Sequence, residues 1–207
     1  MVYTDRTSAG RALGAHLEHL RASNPLVLGL PRGGVPVAAA VREVIGGDLD
    51  VLLVRKLGVP WQPELAMGAI GEDGVRVLNS DVLAHTGVSQ QHVDAIETRE
   101  RAELERRKRV LRGDAEPIPL EGRTVVIVDD GMATGATVAA ACRVARLHQP
   151  ARVVAAVPVA STEAMRRVAD EADEVICPWV PRSLGGVGGA YRDFHQLGDA
   201  EVTALLC

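Results

Sequence analysis

Aromatic side chains make up only 2% of this 207-residue sequence: Tyr3, Trp61, Trp179, Tyr191 and Phe194. So few rings cannot form the stacking platforms that single-stranded nucleic acid needs along a basic groove. An excess of positive charge is missing too. The net charge is −4 and the pI about 5.9, which removes the simple electrostatic case for duplex DNA or RNA as partner. Cysteine is sparse, with Cys142, Cys177 and Cys207 far apart and no C-x-x-C pair, so neither a disulfide framework nor a zinc site is expected. No run approaches the roughly eighteen apolar residues of a membrane span, and the first residues are polar rather than signal-like. These absences point to a cytoplasmic chain without membrane or nucleic-acid partners.

What is present is aliphatic: 47% of the residues are apolar, enough for one domain over residues 1–207 with a core of Ala, Val, Leu and Ile. Three dense apolar runs, Leu26–Leu30, Thr124–Val128 and Arg152–Val157, each precede a turn signal. Helical patterns follow at Val35–Ile45, Val138–Leu147 and Thr162–Ala169. Two more runs, Val51–Val54 and Glu174–Cys177, also fit buried strands. Continuous apolar strands alternating with helices predict an α/β fold, a doubly wound and mostly parallel sheet covered on both faces. Helices are also expected over Thr7–Leu20 and from Asp199.

Residues 55–122 read as an insertion. It contains a hairpin, Ala66–Ile70 with Val75–Leu78 across Gly71-Glu72-Asp73-Gly74, and a helix over Ser89–Arg112. The pairs Glu97/Arg101, Glu103/Arg107 and Glu105/Arg109 have the favourable i, i+4 order. The interleaved acids make Arg106–Arg109 a solvated helix face rather than a phosphate patch.

Ligands of such sheets bind beyond the carboxyl ends of the strands. The informative turn there is Asp129-Asp130-Gly131-Met132-Ala133-Thr134-Gly135-Ala136-Thr137, between the strand Val125–Val128 and a helix. Small residues let backbone amides approach an anion, and the helix N-terminus adds partial positive charge. Thr134 and Thr137 add hydroxyl donors. The two carboxylates suit hydroxyl groups as acceptors, or a metal ion through water. A vicinal diol beside a monophosphate describes a ribose 5-phosphate. The plainer alternative makes Asp129 and Asp130 helix caps and Gly135 a turn residue. A Walker loop is excluded by the lack of Lys in the turn, and the first strand's Pro31-Arg32-Gly33-Gly34 does not supply a dinucleotide fingerprint.

The thirteen residues Val125–Thr137 resemble the phosphoribosyl-pyrophosphate signature of type I phosphoribosyltransferases: four apolar residues, two acids, small residues, then T-G-x-T. The resemblance implies that Asp129 and Asp130 bind the ribose hydroxyls and act in catalysis. Met132, Ala133, Thr134, Gly135, Ala136 and Thr137 would cradle the 5-phosphate. It further implies a pyrophosphate loop at Arg32, Gly33 and Gly34, where family members often hold a cis peptide. Arg55 and Lys56, at the start of a mobile loop, would reach the diphosphate, with Lys56 also catalytic. Trp61–Gly71, with Glu64, would be the closing loop. Residues 178–198 would form a hood, with Trp179, Val180 and Tyr191 at the acceptor. Mg²⁺ would arrive with phosphoribosyl pyrophosphate, with Asp129 or Asp130 reaching it through water. A homodimer is a further family-level expectation.

One position departs from the pattern. Members that act on 6-oxopurines commonly carry an acid where Ala133 stands, which argues against hypoxanthine and guanine as acceptors. The expected reaction is phosphoribosyl transfer to a nitrogen nucleophile, a nucleobase-like acceptor, with release of pyrophosphate. Two alternatives stay open: a non-catalytic domain that senses phosphoribosyl pyrophosphate, and a phosphate-releasing hydrolase using the Asp pair. Four of the five rings fall in the closing loop and hood, and only Tyr3 is expected elsewhere.

Overall fold

The computed structural model describes residues 2–206, so Cys207 lies outside the described residues. Five parallel strands form the main sheet: β1 (Leu26–Gly29), β2 (Asp48–Val51), β6 (Thr124–Val128), β7 (Arg152–Ala156) and β8 (Glu174–Ile176), in the order β2-β1-β6-β7-β8. The apolar runs of β1, β6 and β7 follow from burial on both faces. Val125 and Ile127 turn to the side covered by α5 (Ala136–Arg146) and α6 (Thr162–Ala169). Val126 and Val128 turn to the side covered by α1 (Arg6–Ala15) and α2 (Gly34–Ile45). The strand period of two thus divides one sequence run between two cores. A 3-10 turn, Glu18–Ser23, follows α1 where a longer helix to Leu20 is expected from sequence.

The insertion is a second, antiparallel sheet of β3 (Val54–Val59), β4 (Gln62–Gly71) and β5 (Arg76–Leu78), with α3 (Ser80–Thr86) and α4 (Gln90–Leu111). Leu57, Val59, Met67 and Ile70 of its strands share a buried cluster with Val93, Leu104 and Leu111 of α4. Ser89, expected as the first helical residue, is instead the N-cap of α4. Of the three predicted ion pairs along α4, Glu97–Arg101 and Glu103–Arg107 form at 2.7 and 2.9 Å. Glu103 also takes Arg106 at 2.8 Å, and no ion pair joins Glu105 to Arg109 among the described residues.

Two sequence expectations are corrected here. The run Val51–Val54 is not one strand: β2 ends at Val51, opposite the last residue of β1, and the chain changes partner before β3 begins. Arg55 and Lys56 therefore lie within a paired strand, not in an irregular loop. Likewise, Trp61–Gly71, expected as a loop, is mostly strand β4. Its glycines serve close packing. A Cβ on Gly68 would lie 2.5 Å from the Val77 carbonyl oxygen, and one on Gly71 would lie 2.6 Å from Val144 Cγ1.

The insertion is fastened to the main sheet by Arg112, which follows α4. Its guanidinium donates to Asp50 Oδ1 at 2.6 Å, Glu72 Oε1 at 2.8 Å and the Val51 carbonyl at 2.7 Å. Asp50 Oδ2 also accepts from the Ile118 amide at 2.9 Å. All three charged side chains are buried, and each has a partner, as a buried charge requires. No helix among the described residues is long and apolar enough to cross a membrane.

Candidate active site

Strands β1 and β6 lie side by side, Gly29 opposite Val128, while their connections leave toward opposite edges of the sheet. This is the topological switch point, where a crevice opens beyond the carboxyl ends. The loop after β1 is tied to β6 by the Leu30 amide, which donates to the Val128 carbonyl at 2.9 Å. The Pro31–Arg32 peptide bond is cis. Gly33 and Gly34 are set by proximity. A Cβ on Gly33 would meet Asp130 Oδ2 at 2.0 Å, and one on Gly34 the Val128 carbonyl oxygen at 2.4 Å. The glycine loop and the acidic pair, about 100 residues apart in sequence, are thus in contact.

The turn after β6 is held from behind. Met132 donates its amide to the Val159 carbonyl at 2.9 Å, and Ser161 donates its own to the Met132 carbonyl at 3.0 Å. The Ser161 hydroxyl donates to the Ala133 carbonyl at 2.7 Å, and Arg167 Nη1 to the Thr134 carbonyl at 2.6 Å. Gly135, at φ +73°, turns the chain into α5 and stands at its N-cap, so neither Asp129 nor Asp130 caps that helix. The first-turn amides of Thr137 and Val138 have no acceptor within the helix. They line a 200 Å³ cavity with Asp129 and residues 131–136, a shape and polarity suited to an anion.

Burial raises the Asp129 carboxyl well above its ordinary value, and the neighbouring Asp130 charge adds to the rise. Burial raises Asp130 as well, opposed by Arg6. Arg6 is a residue that the sequence reading missed. Its Nε donates to Asp130 Oδ2 at 2.9 Å, and it starts a helix 124 residues away, so no local pattern connects the two. Ser161 and Arg167 were missed for the same reason: they act on the turn from α6.

A larger cleft of about 630 Å³ adjoins the switch point. Leu30, Pro31 and Thr137 line one side, and Arg55, Lys56, Arg99 and Arg107 bring cations from β3 and α4. Arg55 is paired with Glu100 at 2.6 Å, and Lys56 with Glu64 at 3.5 Å. Arg107, expected on a solvated face, lines this cleft. Arg32 points away from it, donating to the Leu197 carbonyl at 2.7 Å, with Asp199 at 3.6 Å.

In residues 178–198, expected as a hood, the rings pack on one another and on Tyr3. Tyr3 meets Trp179 edge-on at 6.3 Å and Tyr191 at 5.8 Å, and Tyr191 stacks on Phe194 at 5.1 Å. Tyr3, expected elsewhere, thus joins these rings, because it bridges to Tyr191 as a strand would. Trp61 stands apart from that ring set, 59% exposed, against His92. Tyr191, expected at the acceptor, is instead buried, and its hydroxyl donates to the Asp130 carbonyl at 2.5 Å. Trp179 is partly buried in the ring cluster, while Val180 is exposed.

Residues 7–183 match the family described as the phosphoribosyl transferase domain. The chain belongs to this family. Over 205 residues it is 52% identical to Mycobacterium tuberculosis proteins provisionally named phosphoribosyl transferases, covering 99% of this chain and 46% of theirs. The chain thus spans about half the length of these curated relatives. It is also 36% identical over 132 residues to the bifunctional protein PyrR of Chloroflexus aurantiacus, covering 61% of this chain and 65% of that one. Among solved structures, the Thermus thermophilus protein TT1426 superposes with a TM-score of 0.89 at 44% identity, covering 100% of this chain and 98% of that one. The phosphoribosyltransferase fold places the glycine loop, the acidic turn and the inserted cleft around one crevice.

Proposed function

We propose that this chain transfers the 5-phosphoribosyl group of phosphoribosyl pyrophosphate to a nitrogen nucleophile, a nucleobase-like acceptor, in the cytoplasm. The observation that carries the reading is the contact of two loops of different chemistry at the switch point. One, residues 131–138, offers amides and hydroxyls to a monophosphate beside Asp129. The other, Pro31–Gly34, adjoins a cleft lined by Arg55, Lys56, Arg99 and Arg107 together with Glu100, where a diphosphate would compete with Glu64, Glu100 and Glu103 for those cations. In the reaction, a C1–nitrogen bond forms as the C1–oxygen bond breaks, and the electron pair leaves on pyrophosphate. The nitrogen's proton passes to water or to the departing diphosphate, since Ala133 offers no base.

The chain's part is to hold both phosphates in place, and Arg55, Lys56, Arg99 and Arg107 oppose the charge that grows on the leaving group. Among the described residues no cluster of three or more His, Cys, Asp or Glu side chains could hold a metal. The donor set fits Mg²⁺ as a companion of phosphate, reached by Asp129 through water. Bound in this way, Mg²⁺ would neutralise diphosphate charge.

Calorimetry with phosphoribosyl pyrophosphate and Mg²⁺, followed by pyrophosphate release across a base panel, tests the proposal. Saturable binding with turnover on one base supports it, and no binding overturns it. The sensing alternative draws on the hood, whose rings are engaged with one another. Binding without turnover on any base would favour it.

A further inference from the structure

The buried stripe of α4 runs through Val93, Glu100, Leu104 and Leu111, so a charge occupies a place where apolar residues are the rule. Val93, Leu104 and Leu111 join the core of the insertion. The Glu100 side chain, 12% exposed, instead lines the 630 Å³ cleft, as the one acid among the described residues of its wall. Arginines take both of its oxygens. Oε2 accepts from Arg55 Nε at 2.8 Å and Nη2 at 2.6 Å, and Oε1 accepts from Arg99 Nη2 at 3.1 Å. Glu64 and Glu103, which pair with Lys56 and Arg107, are 71% and 30% exposed and stand outside that wall. Replacing a buried ion pair by apolar side chains is often neutral or stabilising, so stability alone is a weak reason for an acid on this stripe.

We propose that Glu100 is a built-in competitor of the diphosphate: it holds Arg55 in the wall, yields it to the ligand and takes it back when pyrophosphate leaves. The inference rests on the phosphoribosyl-pyrophosphate reading and deepens it at the leaving-group side of the cleft. Glu100 supplies from within the chain the negative charge that a phosphate would supply from outside. An anion that reaches Arg55 gains only the difference between its own attraction and that of the carboxylate it replaces. A diphosphate carries several charges and suits the guanidinium fork, so it wins that exchange by a limited margin. Having given up Arg55, Glu100 keeps Arg99 as a partner, and no buried charge is left alone. The limited margin serves turnover, because pyrophosphate held by unopposed cations would leave slowly.

Glu100→Gln keeps the side chain's size and an acceptor for one arginine while removing the competing charge. It is set beside Arg55→Gln and Glu103→Gln, the last a control for an acid outside the wall. Each is titrated by calorimetry with pyrophosphate and Mg²⁺ after ribose 5-phosphate has filled the α5 turn, and urea unfolding confirms a cooperative fold. Glu100→Gln is expected to bind pyrophosphate about tenfold more tightly and Arg55→Gln about tenfold more weakly, the scale of one charge-assisted hydrogen bond. Glu103→Gln is expected to stay within about twofold of the unaltered chain. If Glu100→Gln binds pyrophosphate no better, or worse, Glu100 serves stability or orients Arg55, and the inference falls. An equal gain in Glu103→Gln shows a general effect of charge, and it falls again. A measurement on the unaltered chain does not depend on how the variants fold. The Arg55 Nε–H signal in nitrogen NMR is expected to move as pyrophosphate is added, and an unmoved signal overturns the exchange. An unaltered chain that binds neither ribose 5-phosphate nor pyrophosphate overturns the functional reading itself, a result distinct from these.

Discussion

The two walls of the crevice are built by different physics. The sheet wall, made by the loops after β1 and β6, is fixed by backbone hydrogen bonds and by the close approach of small residues. The wall made by the insertion is tied through charge: Arg112 to Asp50 and Glu72, Arg55 to Glu100, Arg76 to Glu97. Added volume is the disruptive change where the glycine loop meets β6, and lost charge is the disruptive change at Arg112, Asp50 and Glu72.

The contrast can be broken most forcefully at Arg112. Replacing it with alanine leaves Asp50 and Glu72 buried without their shared cation, and the expected loss is about 3–5 kcal/mol of folding stability in urea unfolding. A loss under about 1 kcal/mol would show that this network does not hold the insertion in place. On the sheet wall the corresponding change is Gly34→Ala. Its Cβ would press on the Val128 carbonyl, a backbone atom that cannot swing aside. Stability is expected to fall by about 1–3 kcal/mol, and phosphoribosyl-pyrophosphate affinity about tenfold with it. Unchanged affinity would detach that loop from the ligand.

The smallest effect distinguishes function from stability at Asp129. Its carboxyl holds a proton to higher pH in the folded chain than in the unfolded one. The folded state then binds more protons, so stability falls as pH rises from the ordinary value of 3.8 through the raised one. Asparagine removes this titration and can still accept the Asp130 amide. Without ligand, Asp129→Asn should therefore melt higher than the unaltered chain at pH 7, with the gap closing toward pH 4. A lower melting temperature at pH 7 would contradict the burial argument.

The same contrast explains what the sequence makes legible. The sheet wall is written locally. Val125–Val128 and Val153–Ala156 are unbroken apolar runs, α6 begins and ends at Thr162 and Ala169 as its pattern indicates, and the acidic turn is contiguous. The break between β2 and β3 is not written in this way. Leu52 and Leu53 are as buried as the strand residues beside them, so hydrophobicity continues while the hydrogen-bonding partner changes. Arg6 and Tyr3 are opaque for another reason. Each meets its partner across more than 120 residues, and an arginine or tyrosine near a chain end carries no sign of where it will pack.

The ties from Ser161 and Arg167 to the carbonyls of Ala133 and Thr134 have a thermodynamic consequence. With those oxygens engaged from behind, the peptide planes of the turn are oriented when the chain folds rather than when an anion arrives. An arriving phosphate then displaces water from amides already in position, and little chain entropy is lost on binding. The seat of the anion is in this sense a property of helix α6 as much as of the turn that touches it.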